Sequence, residues 1–133
     1  MKPSLRLAVA LFLVIMPSLA LGQDKYKDEF FDSKGVRIHY IEQGAGEPIV
    51  LIHGYIGTAE GMWVAIGVFQ QLARNYRVIA LDCRGHGQSD KPHEVKQYGR
   101  EMALDIVRLL DHLKIRKAHI VGYSWEAVLR QNS

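Results

Sequence analysis

The chain has 133 residues, 17 of them basic and 14 acidic, with a formal net charge of +3 and a single cysteine. Length alone indicates one domain. Because Cys83 has no second cysteine to pair with, a disulfide framework within the chain is excluded, and we interpret Cys83 as a small packing residue. Two of the basic residues, Lys2 and Arg6, and none of the acidic ones lie before residue 23, so the remainder carries about +1. The charge balance therefore indicates no nucleic-acid partner.

The first 22 residues have the layout of a secretory signal peptide. A basic start precedes the apolar run Leu7–Ile15, and Pro17 is followed by small residues in an A-x-G arrangement that ends at Gly22. The alternative is a membrane anchor, but the apolar segment 7–21 is shorter than the ~20 residues that span a bilayer. We predict cleavage after Gly22, export to the periplasm or the medium, no stable membrane span afterwards, and a domain over residues 23–133.

The mature part begins with strands. The stretch "EFFDSKGVRIHYIEQG" alternates apolar and polar residues at Val36, Ile38 and Tyr40 and has S-K-G at 33–35. That pattern is typical of a β-hairpin with one solvated face. The run Ile49–Ile52 is continuously apolar, which indicates a strand buried on both faces.

Helices and strands alternate along the rest of the chain. Residues 62–74 predict a helix, 76–82 a second buried strand, 98–113 an amphipathic helix and 118–124 a third buried strand. The first helix is expected to turn inward Trp63, Ile66, Phe69 and Leu72 or Ala73; the second is expected to turn inward Met102, Ala103, Ile106, Leu109, Leu110 and Leu113. This alternation predicts an α/β fold, with a mainly parallel sheet and helices on both faces. The carboxyl ends of the buried strands would then share one edge, where such sheets place their chemistry.

Three motifs fall at those strand ends: "LIHGY", "LDCRGHGQSDKP" and "HIVGYS". Each is modest alone, and G-x-S by itself is often only a turn. In this order and spacing they resemble the α/β-hydrolase family, particularly its small bacterial esterases and C–C bond hydrolases, from about residue 28 to Ser124. The resemblance implies that Ser124 is the catalytic nucleophile, at a sharp strand-to-helix turn. It also implies that the backbone N–H groups of Tyr55 and Trp125 form the oxyanion hole, with Gly54 letting its loop pass close to the site.

The remaining polar residues are assigned less direct roles. His53 and His86 are candidates for a catalytic base, but the resemblance implies that they shape loops, and Asp82 and Asp90 are interpreted as structural loop carboxylates. The other histidines, at 39, 93, 112 and 119, are dispersed without metal-ligand spacing, so neither a metal nor a cofactor is expected. Epoxide hydrolases and dehalogenases of this fold use aspartate as nucleophile. Ser124 therefore favours acyl transfer by a Ser-His-acid triad, with a small ester-like molecule as substrate.

The C-terminal residues depart from the family pattern. G-x-S-x-G is replaced by G-Y-S-W-E, so Glu126 stands where a glycine is expected. A one-base deletion at the serine codon would turn the usual Ser-Met-Gly-Gly into Ser-Trp-Glu-Ala, which makes residues 125–133 an out-of-frame tail; the alternative is a short divergent relative. In either case the expected acid and histidine would follow Ser133. We therefore expect the fold to be truncated after the nucleophile strand and the chain to be inactive.

Two further functions remain open on the sequence alone. One is a non-catalytic binding module, in which Tyr55, Trp125 and the loop 82–90 line a pocket. The other is a non-functional truncation product. A strand at 118–123 with an open apolar edge would also favour self-association.

Overall fold

Residues 25–124, the part of the chain that the computed structural model describes, form a five-stranded sheet with helices against both faces. The strands are β1 (Lys27–Ser33), β2 (Val36–Gln43), β3 (Pro48–Ile52), β4 (Arg77–Leu81) and β5 (His119–Gly122). Their order is β1-β2-β4-β3-β5. β2 is antiparallel to β1 and β4, whereas β3 is parallel to β4 and β5, so β2 alone among these strands is reversed. The predicted α/β fold with an antiparallel hairpin is confirmed. The predicted signal peptide and the tail 125–133 lie outside the described residues.

The hairpin forms as predicted, but its second strand is buried on both faces rather than one. Lys34 and Gly35 both have positive φ, 51° and 88°, as a two-residue turn matched to strand twist requires. Along β2, the exposed Arg37 is followed by a continuous buried run, 38–42. The predicted solvated face is wrong because β4 pairs with β2 and helices cover both sides of the sheet, so Ile41 joins the core on the face opposite Ile38 and Tyr40.

The predicted helix over residues 62–74 is broken into two short pieces. A π-helical turn, Glu60–Val64, ends with the Ala65 N–H donating to the Glu60 carbonyl at 2.9 Å. The chain then turns at Gly67, whose φ is +79°, into the short helix α1, Val68–Leu72. Trp63 and Phe69 are buried as predicted, but Ile66 lies in the turn and is 66% exposed. The inward prediction for Ile66 is wrong because the π turn and the left-handed glycine break the 3.6-residue period on which it rested.

The second helix confirms the prediction more closely. α2 runs over Arg100–His112, Met102 and Leu109 are buried, and Ile106, Leu110 and Leu113 pack partly against the same core. Asp105 is buried with them, which the apolar pattern did not predict. A single turn of 3-10 helix, Val95–Gln97, precedes α2.

Each face of the sheet has its own apolar core. Val50 and Ile52 of β3 with Ile79 and Leu81 of β4 point toward α2. The alternate residues of the same strands, Ile49, Leu51, Val78 and Ala80, point toward Trp63 and Phe69 on the other face. Because successive side chains of a strand alternate between faces, the continuous apolar runs in the sequence correspond to strands covered on both sides.

β5 differs from the predicted third buried strand. Within residues 25–124 it pairs only with β3, and Ile120 and Val121 are 45% and 44% exposed. The prediction is wrong for the described part of the chain because β5 lies at one edge of the described sheet, whereas α2 contacts β1 at the opposite edge. No helix within residues 25–124 is long and apolar enough to cross a membrane.

Candidate active site

The three predicted motifs meet at one edge of the sheet. Ile52, the last residue of β3, is in register with Leu81 of β4 and with Gly122 of β5. The segments that follow these strands, 53–58, 82–90 and 123–124, therefore begin side by side. This confirms the prediction that the carboxyl ends of the parallel strands, with the three motifs, share one edge of the sheet.

Ser124 occupies a strained turn directly after β5. The Tyr123 N–H still donates to the Ile52 carbonyl at 3.1 Å, so the pairing with β3 extends one residue beyond the strand. Ser124 then adopts φ +68°, in the left-handed region, and is exposed. Non-glycine residues rarely adopt this conformation, and strain of this kind clusters at functional sites. A sharp, strained turn after a strand is the backbone predicted for a nucleophile.

Gly54 brings the loop after β3 into direct contact with the Ser124 turn. A Cβ at Gly54 would lie 2.9 Å from the Tyr123 carbonyl oxygen and 3.1 Å from the Ser124 Cβ. Only a residue without a side chain fits there undisturbed, which confirms the close approach predicted for this glycine. Tyr55 follows at once and is thereby carried to the Ser124 turn, with its side chain 73% exposed. Trp125, the second predicted oxyanion residue, lies outside the described residues.

His53 is a buried connector between two loops and has no ring nitrogen available as a base. Its side chain is fully buried. Nδ1 lies 2.8 Å from the Gly54 carbonyl oxygen, and Nε2 accepts the Cys83 N–H at 3.0 Å. Since Nε2 accepts, the proton sits on Nδ1 and the ring is neutral. Burial lowers the pKa of His53, in keeping with that state. The role of loop shaping that the resemblance implied is the one that these contacts support.

The Gly54 carbonyl oxygen accepts a second hydrogen bond, from the Gly57 N–H at 3.0 Å. A Cβ at Gly57 would also fall 3.0 Å from that oxygen. The turn that presents Tyr55 is therefore closed on itself and tied through His53 to the loop after β4.

The loop 82–90 is held by buried charged groups. The Gly85 N–H donates to the Asp90 carbonyl at 2.8 Å and closes the loop, and Gly85 and Gly87 have positive φ, +83° and +51°. Arg84, 1% exposed, donates from Nε and Nη2 to both carboxylate oxygens of Asp105 on α2, at 2.7 and 2.6 Å. A third donor, Nη1, reaches the Gln97 carbonyl at 2.7 Å. These bonds fix the loop to α2.

The remaining candidates differ in their surroundings. Cys83 is buried, and burial raises the pKa of its thiol to about 12, which fits the packing role predicted for it. His86 lies beside His53 and Tyr55, with ring centroids 5.1 and 6.4 Å away. His112 stacks on Phe31 of β1. Within the described ranges no group of three or more His, Cys, Asp or Glu side chains is arranged to hold a metal ion.

Sequence reasoning missed two supporting units: the pair Arg84–Asp105, and a buried contact of His39 with the carboxylates of Asp28 and Asp82. Asp82 was correctly interpreted as structural, but its partner was not found. The one usable signal was Asp105 on the apolar face of α2, since a carboxylate in a core needs a charged partner. The sequence does not indicate the contacts of His39, because its partners Asp28 and Asp82 lie 11 and 43 residues away.

Comparison with known proteins agrees with this geometry. A family model described as the alpha/beta hydrolase fold matches residues 47–125, which is more than half of the chain and includes all three motifs. The chain belongs to the α/β hydrolase family. The resemblance identified in the sequence is thereby confirmed.

Relatives of this α/β hydrolase chain carry out more than one kind of hydrolysis. It is 37% identical over 91 residues to a soluble epoxide hydrolase of Corynebacterium sp. strain C12, a match that covers 68% of this chain and 30% of the relative. It is 41% identical over 71 residues to 2-hydroxy-6-oxo-6-(2'-aminophenyl)hexa-2,4-dienoic acid hydrolase of Metapseudomonas resinovorans, covering 53% and 24% of the two chains.

Among solved structures, protein ALR0039 of Nostoc sp. PCC 7120 superposes with a TM-score of 0.70 at 30% identity, over 80% of this chain and 38% of that one. The chain spans 18 to 33% of the length of the curated relatives that it matches.

Proposed function

We propose that this chain carries the nucleophile and one oxyanion donor of a serine hydrolase that acts on small esters or related carbonyl compounds by acyl transfer. The observation that carries the proposal is the left-handed backbone of Ser124 directly after β5, with Gly54 packed against it. A hydroxyl on such a turn points beyond the sheet edge. The neighbouring loop after β3 supplies the proposed donor, the Tyr55 backbone N–H.

The proposed chemistry begins with attack of the Ser124 hydroxyl oxygen on the substrate carbonyl carbon. The carbonyl oxygen becomes an oxyanion, for which the N–H groups of Tyr55 and Trp125 are the proposed donors. Collapse of the intermediate expels the alcohol or carbon leaving group and leaves the acyl group on Ser124, from which water removes it. His53 and Gly57 contribute by holding the Gly54 carbonyl, and with it the orientation of the Tyr55 peptide.

Three hydrogen-bonded histidines of residues 25–124, His39, His53 and His119, are not placed to act as the base that such a reaction needs. His53 uses both ring nitrogens in backbone contacts, and both ring nitrogens of His39 face carboxylates. His119 pairs with Glu47 at 3.0 Å on the surface. A serine hydroxyl without a base is a weak nucleophile at neutral pH. We therefore expect the 133-residue chain to hydrolyse an activated ester no faster than its Ser124→Ala variant.

A test that does not depend on the base uses Ser124→Cys. A thiol is a few per cent thiolate at pH 7 and needs less activation than a hydroxyl, so this variant should be acylated by p-nitrophenyl acetate. Intact mass and peptide mapping would locate the acyl group. Cys83 serves as the internal reference, because its thiol is buried and its pKa is raised to about 12. Acylation at position 124 no faster than at Cys83 would count against the nucleophile assignment.

A second candidate is epoxide opening, since several relatives are epoxide hydrolases. That reaction needs a carboxylate nucleophile at the same turn, and Ser124 does not supply one. Incubation with an aryl epoxide should therefore leave the wild-type chain unmodified, while Ser124→Asp should gain a covalent ester adduct detectable by mass. An epoxide adduct on the wild-type Ser124 would favour this second function instead.

A further inference from the structure

A buried histidine outside the Ser124 turn bridges two carboxylates. His39 of β2 is 1% exposed. Its Nδ1 lies 2.8 Å from Asp82 Oδ2, and its Nε2 lies 2.9 Å from Asp28 Oδ1 on β1. Ionised carboxylates accept hydrogen bonds and cannot donate them, so both contacts are hydrogen bonds only if both ring nitrogens carry protons. The geometry is that of an imidazolium between two anions.

The Asp82 carboxylate also accepts backbone hydrogen bonds from both loops of the candidate active site. Its Oδ1 accepts the Ala59 N–H at 2.7 Å, at the point where the loop after β3 enters its helical turn. Its Oδ2 accepts the Gln88 N–H at 2.9 Å, inside the loop after β4. A Cβ at Gly87 would fall 2.1 Å from that same oxygen, so the loop can wrap this closely around the carboxylate only because Gly87 has no side chain.

The backbone of His39 is tied to the same loop. Its N–H donates to Ser89 Oγ at 2.9 Å, and the Ser89 hydroxyl donates in turn to the Asp82 carbonyl at 2.6 Å. His39 therefore joins three parts of the fold: β1 through Asp28, the entry to the helical turn through Asp82 and Ala59, and the loop 82–90 through Asp82 and Ser89.

We propose that His39 is a positioning residue for the Ser124 site that acts in its charged form, fastening the two loops beside Ser124 to the outer hairpin, and that loss of its proton loosens both loops. Only the expected effect of His39 on chemistry at Ser124 rests on the proposed function. The fastening itself is independent of what Ser124 does.

The carboxylates that face His39, Asp28 from β1 and Asp82 from the loop after β4, favour the charged ring. The Phe30 ring and Ser89 also face it, and the Gln88 side-chain Nε2 lies 3.3 Å from the His39 Nε2. That amide nitrogen is a donor and opposes a protonated Nε2, but its contact is longer than the 2.9 Å contact of Asp28 Oδ1. The Arg37 guanidinium lies on the Phe30 ring, 3.5 Å from its centroid. Burial works to lower the pKa of His39, but the hydrogen bonds and charges of Asp82 and Asp28 raise it above the usual histidine value.

The direction of the pH effect follows from that raised pKa. A histidine that gains protons on folding stabilises the fold fully below its unfolded value of about 6.5, and the stabilisation is lost as the pH rises through the folded pKa. The fastening should therefore fail on the alkaline side.

The direct test is the protonation state of the His39 ring in the full chain. Long-range ¹H–¹⁵N spectra distinguish a protonated ring nitrogen from a bare one, and the spectrum of His39→Gln identifies the signal. The ring should lose its second proton with a midpoint above the usual histidine value of about 6.5, and Asp28→Asn should shift that midpoint to lower pH. A midpoint at or below the usual value, or one that Asp28→Asn leaves unchanged, would overturn the proposal.

The second test reads the loops. In His39→Phe, hydrogen exchange of the Ala59 and Gln88 amides should become about 10- to 100-fold faster, which is the loss expected for a hydrogen bond to a charged group. His112→Phe is the matched control, since that histidine packs on Phe31 away from both loops. Equal exchange in the two variants would refute the fastening role. Failure of Ser124→Cys acylation with a charged His39 ring would instead refute only the proposed function.

Discussion

The contact most open to a quantitative test is the buried pair between Arg84 and Asp105. Both side chains are 1% exposed, and the guanidinium donates to both carboxylate oxygens at 2.7 and 2.6 Å. Arg84→Met keeps a long unbranched side chain and removes only the charge and the donors. The variant would leave the Asp105 carboxylate of α2 buried without Arg84. The Ser33 hydroxyl would remain 2.5 Å from it and the Arg108 guanidinium 3.8 Å away.

The expected cost follows from leaving a buried charge without its partner. Removing one member of a buried ion pair destabilises a protein by about 3–5 kcal/mol, because the remaining charge stays desolvated. The Ser33 donor offsets part of this, so the lower end of the range is the better expectation. At about 1.4 kcal/mol for each tenfold change, 3 kcal/mol corresponds to an opening equilibrium that is roughly 100-fold more favourable.

Native-state hydrogen exchange of the α2 amides measures that opening and does not require the whole chain to unfold in one step. Exchange over residues 102–110 should become roughly 100-fold faster in Arg84→Met. The double variant Arg84→Met/Asp105→Leu should recover most of the protection, because it replaces both charges with apolar groups. Lys96→Met is the control for charge removal at the surface, since the Lys96–Glu94 pair is 78% and 62% exposed and should matter little.

Two results would refute this reasoning. Exchange in Arg84→Met within about threefold of the wild type would mean that the pair does not anchor the loop 82–90 to α2. A double variant no better protected than the single one would mean that the loss comes from packing around Arg84 and not from the unpaired carboxylate.

Three other outcomes are expected. Gly54→Ala, made in the Ser124→Cys chain, should slow acylation at least tenfold, because the new methyl group meets the Tyr123 carbonyl at 2.9 Å. Gly35→Ala is the control: it strains a left-handed residue of the β1–β2 turn, with nothing within 4 Å of its Cβ, and should not slow acylation. The exported product should have the intact mass of a chain that begins near Gln23, and a product that retains the preceding residues would contradict the predicted signal peptide. The mature chain should self-associate in sedimentation through β5, and Val121→Lys should reduce that association, because a charge on an edge strand opposes pairing; a monomeric wild-type chain would contradict this.

The central strands could be predicted from the sequence because a strand covered on both faces needs a continuous apolar run, whatever the details of its packing. The runs 49–52 and 78–81 are continuously apolar, and each lies in a central strand of the described sheet. The helix over 62–74 could not be predicted in the same way, since its apolar spacing carries no sign of the π turn. Gly67 was the one visible warning, because a glycine inside a helical pattern is a common point of rupture.

The candidate active site was predictable where it depends on local backbone chemistry. The turn at Ser124 and the close approach of Gly54 follow from short motifs at strand ends, and the structure shows both; the role of Ser124 as nucleophile stays a prediction. The groups that hold the site in place were not predictable, because they join residues far apart in the chain. Arg84 meets Asp105 21 residues later, and His39 meets Asp82 43 residues later, which no local periodicity records.

The two buried histidines near this edge show that the partner, and not burial, decides the charge. His53 and His39 are 0% and 1% exposed. A backbone N–H donates to one ring nitrogen of His53, whereas carboxylates face both ring nitrogens of His39. Burial lowers the pKa of His53, so its contribution to stability is present above the unfolded histidine value and is lost as the pH falls through the folded pKa. His39 has the opposite sign, since its contribution is lost as the pH rises through a raised pKa. Both histidines support the loop after β3, whose Gly54 packs against the Ser124 turn: His53 lies in that loop, and His39 acts on it through Asp82 and Ala59. Ordered presentation of Ser124 should therefore be confined to a pH window with His53 at its acid limit and His39 at its alkaline limit.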